Sequence, residues 1–422
     1  MFRTLRCAFV VLSSTLSFLA HFPTSLYAAE AVSVTIDAGM HDRNETIVRV
    51  PTKTTLPLGA LTLKDEAGKS YEAQISAASN QESGSPRQEL IVLIPQLAAG
   101  KSLALSGEAG KPSAEQRDAY KFTDVPRESI SLSYGPTPVW KYMDAPLDDK
   151  SRETTYKVFH HLYSPDGKRI VTKGPGGQFT HHRGLFYGFN KVNYGPDLKT
   201  QVDIWHCTKD THQSHERVVY EDRGALVARH ELEIAWHGVN KEIFAVERRE
   251  LIAYHMPGGN LIEFISVVTP KEGTMKVDGD PQHAGFHFRA SNDVSEKTKA
   301  QTYYLRPDGK DKPGATRNWD PKKADPKTVN LAWNAMSFVL PDEGAGERRY
   351  SVGYLDHPGN PKEARYSERD YGRFGSYFEA AATPEKPLRV NYRIWLQDGE
   401  TTLEAMQARS RDFVEPPTAT WK

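Results

Sequence analysis

The stretch LRVNYRIWLQ, residues 388–397, decides the fold of this chain. Apolar residues from Leu388 through Tyr392 to Leu396 occupy every second position. Successive side chains of a β-strand point to opposite faces, so this alternation predicts a strand with one face in a core. The same alternation recurs along the chain and indicates further strands.

Strand signals recur along most of the chain, and helix signals are rare. Further strands are predicted at 46–50, 89–95, 102–105, 243–255, 260–268, 285–290, 332–340 and 349–356. One helix is predicted near the end, where Thr401 and Glu404 form a capping-box pattern and Pro416 lies beyond it. Strands without intervening helices exclude a parallel α/β sheet. They favour an all-β fold with two large antiparallel sheets packed face to face.

The domain organisation follows from breaks in this pattern. Residues 30–108 are predicted to form a small β-sandwich, and the polar stretch 107–117 is predicted to be a linker. Residues 124–422 are predicted to form the large two-sheet domain with its C-terminal helix. Residues 1–29 resemble a signal peptide, with Arg3 and Arg6 before an apolar core and with Ala28 and Ala29 at its end. We therefore expect a periplasmic or extracellular protein.

Charge and motif content exclude several functions. The chain has 54 Lys+Arg and 54 Asp+Glu, and removal of Arg3 and Arg6 gives 52 − 54 = −2. This balance gives no reason to expect nucleic acid as a partner, and no stretch after residue 29 is apolar enough for membrane insertion. Loss of Cys7 leaves only Cys207, so no internal disulfide can form. Nucleophile-elbow, Walker, zincin and dinucleotide motifs are absent from the sequence.

Histidine is concentrated in one part of the chain, since twelve of the 15 histidines lie between His160 and His287. In the run GPGGQFTHHRGL, residues 174–185, a glycine-rich loop is followed by two imidazoles and a guanidinium. On a strand, His181 and Arg183 would face one way and His182 the other. One histidine could exchange a proton with a substrate hydroxyl while Arg183 holds an oxygen-rich group. The alternative is a core histidine and a structural ion pair.

Two further runs complete the candidate site. In residues 280–290, His283, His287 and Arg289 share one face of a predicted strand, which is either a binding surface or a solvated outer face. In residues 354–361, a strand ends in a polar turn that either lines a cleft or only shapes the chain. The predicted catalytic residues are His182, His283 and His357, and the predicted substrate-binding residues are His181, Arg183, His287, Arg289, Asp356, Asn360 and Arg373.

From the sequence we expect neither a bound metal nor another cofactor. His283 and His287 would lie about 13 Å apart on a strand and could not share an ion. A site assembled from distant segments, such as His182, His283 and His357, has no spacing signature in the sequence.

Three of these runs carry a family resemblance. HHRGL at 181–185, HAGFHFRA at 283–290 and DHPGNP at 356–361 resemble, in this order, the PmoA-like family of secreted bacterial proteins. The chain departs from that pattern at Phe186 and Tyr187, where family members often have tryptophan. The resemblance implies no established activity. The family name comes from an integral membrane subunit of methane monooxygenase, so methane oxidation is disfavoured for a chain without a spanning segment.

The predicted function is that of a carbohydrate-active protein on a supersandwich like that of galactose mutarotases. It would act on a sugar or sugar acid as an epimerase, lyase or hydrolase, through histidine and carboxylate acid-base chemistry. Two alternatives stay open, a non-catalytic glycan-binding or surface-assembly protein and a copper- or zinc-dependent enzyme.

Overall fold

The computed structural model describes residues 29–78, 88–110, 119–342, 344 and 346–422. The predicted signal peptide lies outside the described residues except for Ala29, and so does most of the predicted linker. Within the described ranges, none of the helices is long and apolar enough to cross a membrane.

The described residues are mostly in β-strands. The strands are β1 Glu30–Asp37, β2 Arg43–Pro51, β3 Gly59–Lys64, β4 Ser70–Ala77, β5 Gln88–Leu97, β6 Ser102–Ala109, β7 Tyr120–Val125, β8 Ser129–Tyr134, β9 Thr137–Met143, β10 Phe159–Leu162, β11 Leu185–Phe189, β12 Lys191–Tyr194, β13 Thr200–Val202 and β14 His212–Arg223. They continue with β15 Val227–His237, β16 Ile243–Met256, β17 Gly259–Pro270, β18 Met275–Asp278, β19 Ala284–Arg289, β20 Tyr303–Arg306, β21 Gly309–Lys310, β22 Trp333–Asp342, β23 Gly346–Asp356, β24 Arg365–Arg369, β25 Arg373–Tyr377, β26 Ala380–Ala382, β27 Leu388–Asp398 and β28 Thr418–Trp421. The α-helices are α1 Arg152–Thr155 and α2 Leu403–Val414.

Two large antiparallel sheets pack face to face, which confirms the all-β prediction. One has the order β24-β25-β19-β11-β10-β9-β8-β7, and the other has the order β14-β15-β16-β17-β27-β23-β22-β20-β21. Their facing sides share one apolar core, to which Phe286 and Phe288 of β19 and Tyr392 and Ile394 of β27 contribute. A four-stranded sheet, β13-β12-β18-β26, lies at its margin and adds Val192 to the same core.

A third layer covers the outer face of the nine-stranded sheet. It consists of α2 and a seven-stranded sheet with the order β2-β5-β4-β3-β6-β1-β28. The last strand of the chain, β28, pairs with β1, with Trp421 opposite Val34. Trp421 Nε1 also donates to the Pro51 carbonyl at 2.7 Å, which joins the two edges of this sheet. The C-terminal residues therefore complete the N-terminal sheet, although the sequence pattern assigned them to the large domain.

The predicted helix is present, but it begins one residue later than the capping pattern indicated. Thr402, not Thr401, is the N-cap, and its hydroxyl accepts from the Ala405 N–H at 3.1 Å. The third helical position is then Ala405, so Glu404 cannot complete a capping box. Met406 and Phe413 are buried against the nine-stranded sheet.

The outer face of the eight-stranded sheet is buried rather than solvated around β11 and β19. Phe286 and Phe288 of β19 point into the shared core, as the alternation predicts, whereas His287 and Arg289 point to the other side and are each 1% exposed. Trp205 and Phe186 pack together on that side. The polar residues predicted as a binding surface are therefore enclosed by the segments before β11 and after β13.

Candidate functional site

The HHRG run forms a turn immediately before β11 and is not itself a strand. The His182 N–H donates to the Phe179 carbonyl at 2.9 Å, which closes the turn. The rings of His181 and His182 consequently contact each other edge to face, with 4.5 Å between their centroids. The prediction that they face opposite ways is wrong, because alternation applies only to extended backbone.

Three histidines from three turns meet at this point. His181 precedes β11, His206 follows β13, and His283 precedes β19. Ring centroids lie 4.4 Å apart for His181 and His206, 4.7 Å for His206 and His283, and 5.3 Å for His181 and His283. One nitrogen from each ring lies within 4.8 Å of the other two. This arrangement is that of a potential three-histidine metal centre.

Two of the three imidazoles are oriented by carboxylates. His206 Nδ1 lies 2.7 Å from Asp203 Oδ2, and His283 Nδ1 lies 3.0 Å from both carboxylate oxygens of Asp280. Burial would raise the pKa of Asp280, but the hydrogen bond and charge of His283 outweigh it and hold that pKa below its usual range. A carboxylate on Nδ1 fixes the tautomer that leaves Nε2 as the metal ligand.

His181 is available as a third neutral ligand. Its Nε2 is buried and has no hydrogen-bond partner among the described residues. Burial, together with the charges of His206, Lys157 and His283, lowers the pKa of His181 to about 3. The ring is therefore unprotonated at neutral pH, which is the state that binds a metal.

The separations suit an ion after a small contraction. Tetrahedral ligands at about 2.0–2.1 Å from zinc lie about 3.4 Å from one another, so the three nitrogens would approach by up to about 1.4 Å. Three protein ligands leave a fourth position open, which is the pattern of catalytic rather than structural zinc sites.

A buried polar layer lies beneath the three histidines. His182 is 2% exposed, both of its ring nitrogens lack partners in the described part of the chain, and burial, followed by the charge of Arg373, holds its pKa well below the usual value. His287 Nδ1 lies 3.2 Å from Arg373 Nη1. Gly375 pairs with His287, and a Cβ at Gly375 would lie 2.5 Å from the His287 ring. A glycine is therefore required there for the ring to fit.

Buried lysines support the turn that carries His181. Lys157 Nζ donates to the carbonyls of His181, at 2.8 Å, and Trp205. Lys173 Nζ donates to the Gly174 carbonyl at 2.8 Å. Burial is the main cause that lowers the pKa of each lysine to about 7.

The structure brings together seven of the ten residues predicted from the sequence. These are His181, His182, Arg183, His283, His287, Arg289 and Arg373, which all line the site or the layer beneath it.

The other three predicted residues, at the end of β23, do not join them. His357 packs against Phe413 with 5.2 Å between ring centroids and lines a separate cavity of about 270 Å³ beside the seven-stranded sheet. Asp356 is buried and accepts from Asn360 Nδ2 at 2.7 Å and from the Tyr366 hydroxyl at 3.0 Å. This turn is held by its own hydrogen bonds, which is the structural alternative that the sequence left open.

Sequence reasoning missed His206, Asp203 and the role of Asp280. A usable signal was present, because Asp203-x-x-His206 and Asp280-x-x-His283 repeat the same spacing in two distant segments. In both, the aspartate bonds the backbone of the turn and the ring of the histidine three residues later.

Comparisons with known proteins give a family and a distant structural likeness. The profile of DUF6807, described as a family of unknown function, matches residues 129–411. No curated protein sequence matches the chain. Among solved structures, a glycosyl hydrolase family 38 protein from Enterococcus faecalis is similar at 10% identity with a TM-score of 0.39. The match covers 93% of this chain and 47% of that chain, so the chain spans about half the length of this relative.

Proposed function

The chain belongs to DUF6807, a family of unknown function, and we propose that it is a metal-dependent enzyme that acts on a carbohydrate. His181, His206 and His283 would hold the ion. The observation that carries the proposal is the pair of Asp-x-x-His units, since each directs one imidazole toward the same point as His181. Imidazole ligands suit zinc, copper, iron or nickel.

A bound ion at this position would polarise a substrate oxygen or activate water in the open position. His182 is the group best placed to exchange a proton with the substrate. Its ring centroid lies 6.1 Å from that of His283 and 5.3 Å from that of Phe179, and its nitrogens are free of partners in the described residues. A general base near a metal-bound substrate needs such an unprotonated imidazole.

The substrate class is supported by aromatic rings at the mouth of the site. Phe179 is 41% exposed, and its ring centroid lies 5.0 Å from that of Tyr371. Aromatic faces beside polar groups suit the apolar faces of sugar rings. The PmoA-like resemblance and export from the cytoplasm remain part of this proposal.

The proposal departs from the preference for no metal that the sequence suggested. That preference rested on His283 and His287, and it took no account of His206. His283 precedes β19, whereas His287 lies within it. The alternative of a non-catalytic glycan-binding protein would use the aromatic rings and arginines but has no need of converging histidines. Metal binding therefore separates the two.

The first experiment measures zinc binding without any substrate. Protein stripped with EDTA is titrated with Zn²⁺ against a chromophoric chelator, and Co²⁺ serves as the spectroscopic probe. We expect one ion per chain and at least 100-fold weaker binding in His206→Ala and His283→Ala. His357→Ala is the matched control and should bind as the parent does. Absence of stoichiometric zinc, or equal binding by His206→Ala, would overturn the metal centre.

The second experiment tests catalysis. Zinc-loaded and metal-free protein are incubated with a panel of neutral and acidic sugars and oligosaccharides, and products are followed by mass spectrometry and NMR. Turnover should require the metal and should be lost in His182→Ala, which still binds zinc. Turnover that His182→Ala leaves unchanged would remove His182 from the chemistry.

A further inference from the structure

Six arginines are among the largest fully buried side chains of the described residues, and they fall into two groups. Arg229, Arg249 and Arg306 are each paired with a glutamate. Arg229 Nη1 lies 2.9 Å from Glu250, Arg249 Nε lies 2.8 Å from Glu247, and Arg306 Nε lies 2.6 Å from Glu368. This is the usual way in which a fold accommodates a buried guanidinium.

The second group, Arg183, Arg289 and Arg373, forms no ion pair with any carboxylate in the described part of the chain. Arg289 Nη1 donates to the carbonyls of Ala290, at 3.0 Å, and Tyr371, whereas its Nε and Nη2 have no partner there. Arg373 Nε is likewise unpartnered. All three belong to the layer beneath the three histidines.

The pairing of β19 with β25 places two of these arginines opposite each other, which is unfavourable when no anion is bound. Arg289 of β19 and Arg373 of β25 are direct cross-strand partners. Like charges directly opposite each other destabilise a sheet, and burial without a counter-ion adds a desolvation cost. The buried arginines of the nine-stranded sheet are paired with glutamates, so the absence of acid beside Arg289 and Arg373 needs a reason outside the fold.

We infer that the substrate of the proposed centre carries an oxyanion, such as the carboxylate of a sugar acid, that binds between Arg289 and Arg373 beside His182. The inference rests on the proposed function, because that proposal places the reacting part of the substrate beside the metal and His182. A planar guanidinium can bind a carboxylate or sulfate through two parallel hydrogen bonds. Tyr371 lies over Arg289, with 4.8 Å from the guanidinium carbon to the ring centroid, and Nε and Nη2 of that guanidinium have no partner among the described residues.

The test uses EDTA-treated protein, so that its outcome does not depend on the metal. Thermal unfolding midpoints are measured with glucuronate, acetate and sulfate against chloride at equal ionic strength, and with glucose as the neutral arm. At least one oxyanion should raise the midpoint by several degrees more than chloride, and glucose should not. The carboxylate and sulfate arms distinguish which oxyanion the site prefers. No oxyanion-specific rise would overturn the inference and leave the zinc result unaffected.

Two variants separate a binding role from a structural one. Arg289→Met should lose the oxyanion response while its midpoint in chloride does not fall, because the change removes a like-charge contact. Arg217→Met, an exposed arginine with its side chain 55% accessible, is the matched control and should keep the response. If Arg289→Met does not fold, Arg289→Lys is used, and its response should fall at least fivefold in apparent affinity. An unchanged response in the folded variant would overturn the inference.

Discussion

Asp203→Asn isolates one carboxylate of the proposed metal centre. Asp203 Oδ1 accepts from the Trp205 N–H at 2.9 Å and from the His206 N–H at 2.7 Å, and Oδ2 faces His206 Nδ1 at 2.7 Å. An asparagine can keep its carbonyl oxygen at the first position and so preserve the turn. Its amide nitrogen then replaces Oδ2 and cannot accept from the imidazole.

The expected loss follows from this single contact. Removal of the carboxylate behind a metal-bound histidine weakens metal binding by roughly 10–100-fold, which is about 1.4–2.7 kcal/mol. Zinc affinity is measured by chelator competition at pH 7, and the free energy of unfolding of the metal-free protein should change little. Asp325→Asn is the control, because Asp325 caps a turn remote from the site in the same way, through Lys327. Affinity for Asp203→Asn within threefold of the parent would refute the idea that Asp203 orients a ligand.

Three further outcomes are expected elsewhere in the fold. Burial lowers the pKa of His230 to about 3, so the unfolded chain takes up a proton at this residue between about pH 6.5 and 3. Stability should fall as the pH decreases through that range, and His230→Phe should flatten this loss in urea titrations; equal pH slopes would contradict it. Gly375→Ala should destabilise by about 1–3 kcal/mol, because its Cβ meets the His287 ring and the Phe286 carbonyl, and an unchanged melting curve would show that the ring can yield. Thr402→Ala should cost about 0.5–2 kcal/mol through loss of the helix cap, measured by chemical unfolding, and a negligible cost would mean that tertiary contacts alone hold α2.

The sequence predicted those features that depend on local periodicity. The alternation in 388–397 placed β27 with Tyr392 and Ile394 in the shared core, and the same reasoning placed Phe286 and Phe288 of β19 there. These positions are decided by the pleat of the strand alone. The prediction failed at His181 and His182 because they lie in a turn, where no fixed period relates neighbouring side chains.

The centre itself depends on contacts between distant segments, and periodicity carries no information about them. His181 lies 102 positions before His283 in the sequence, yet their ring centroids are 5.3 Å apart because β11 and β19 are neighbours in one sheet. His206 joins them from a turn after β13, a strand of the four-stranded sheet. His357 was predicted to join the site but lies far from it. Its strand, β23, belongs to the other large sheet, so the order of motifs along the chain gave no guide to their proximity.

The charges around the three histidines form two halves with opposite needs. Asp203 and Asp280 stand behind the ligands and favour a divalent cation, whereas Arg289 and Arg373 lie beneath them without acid and favour an anion. The two aspartates are hydrogen-bonded within the fold, whereas the two arginines have no acidic partner among the described residues, and a cation alone would increase the positive charge near them. A metal ion and an anionic substrate bound together satisfy both halves, so each should increase the affinity of the other by the same factor. On this reasoning the site keeps two buried arginines without an acidic partner because the anionic substrate is their counter-ion.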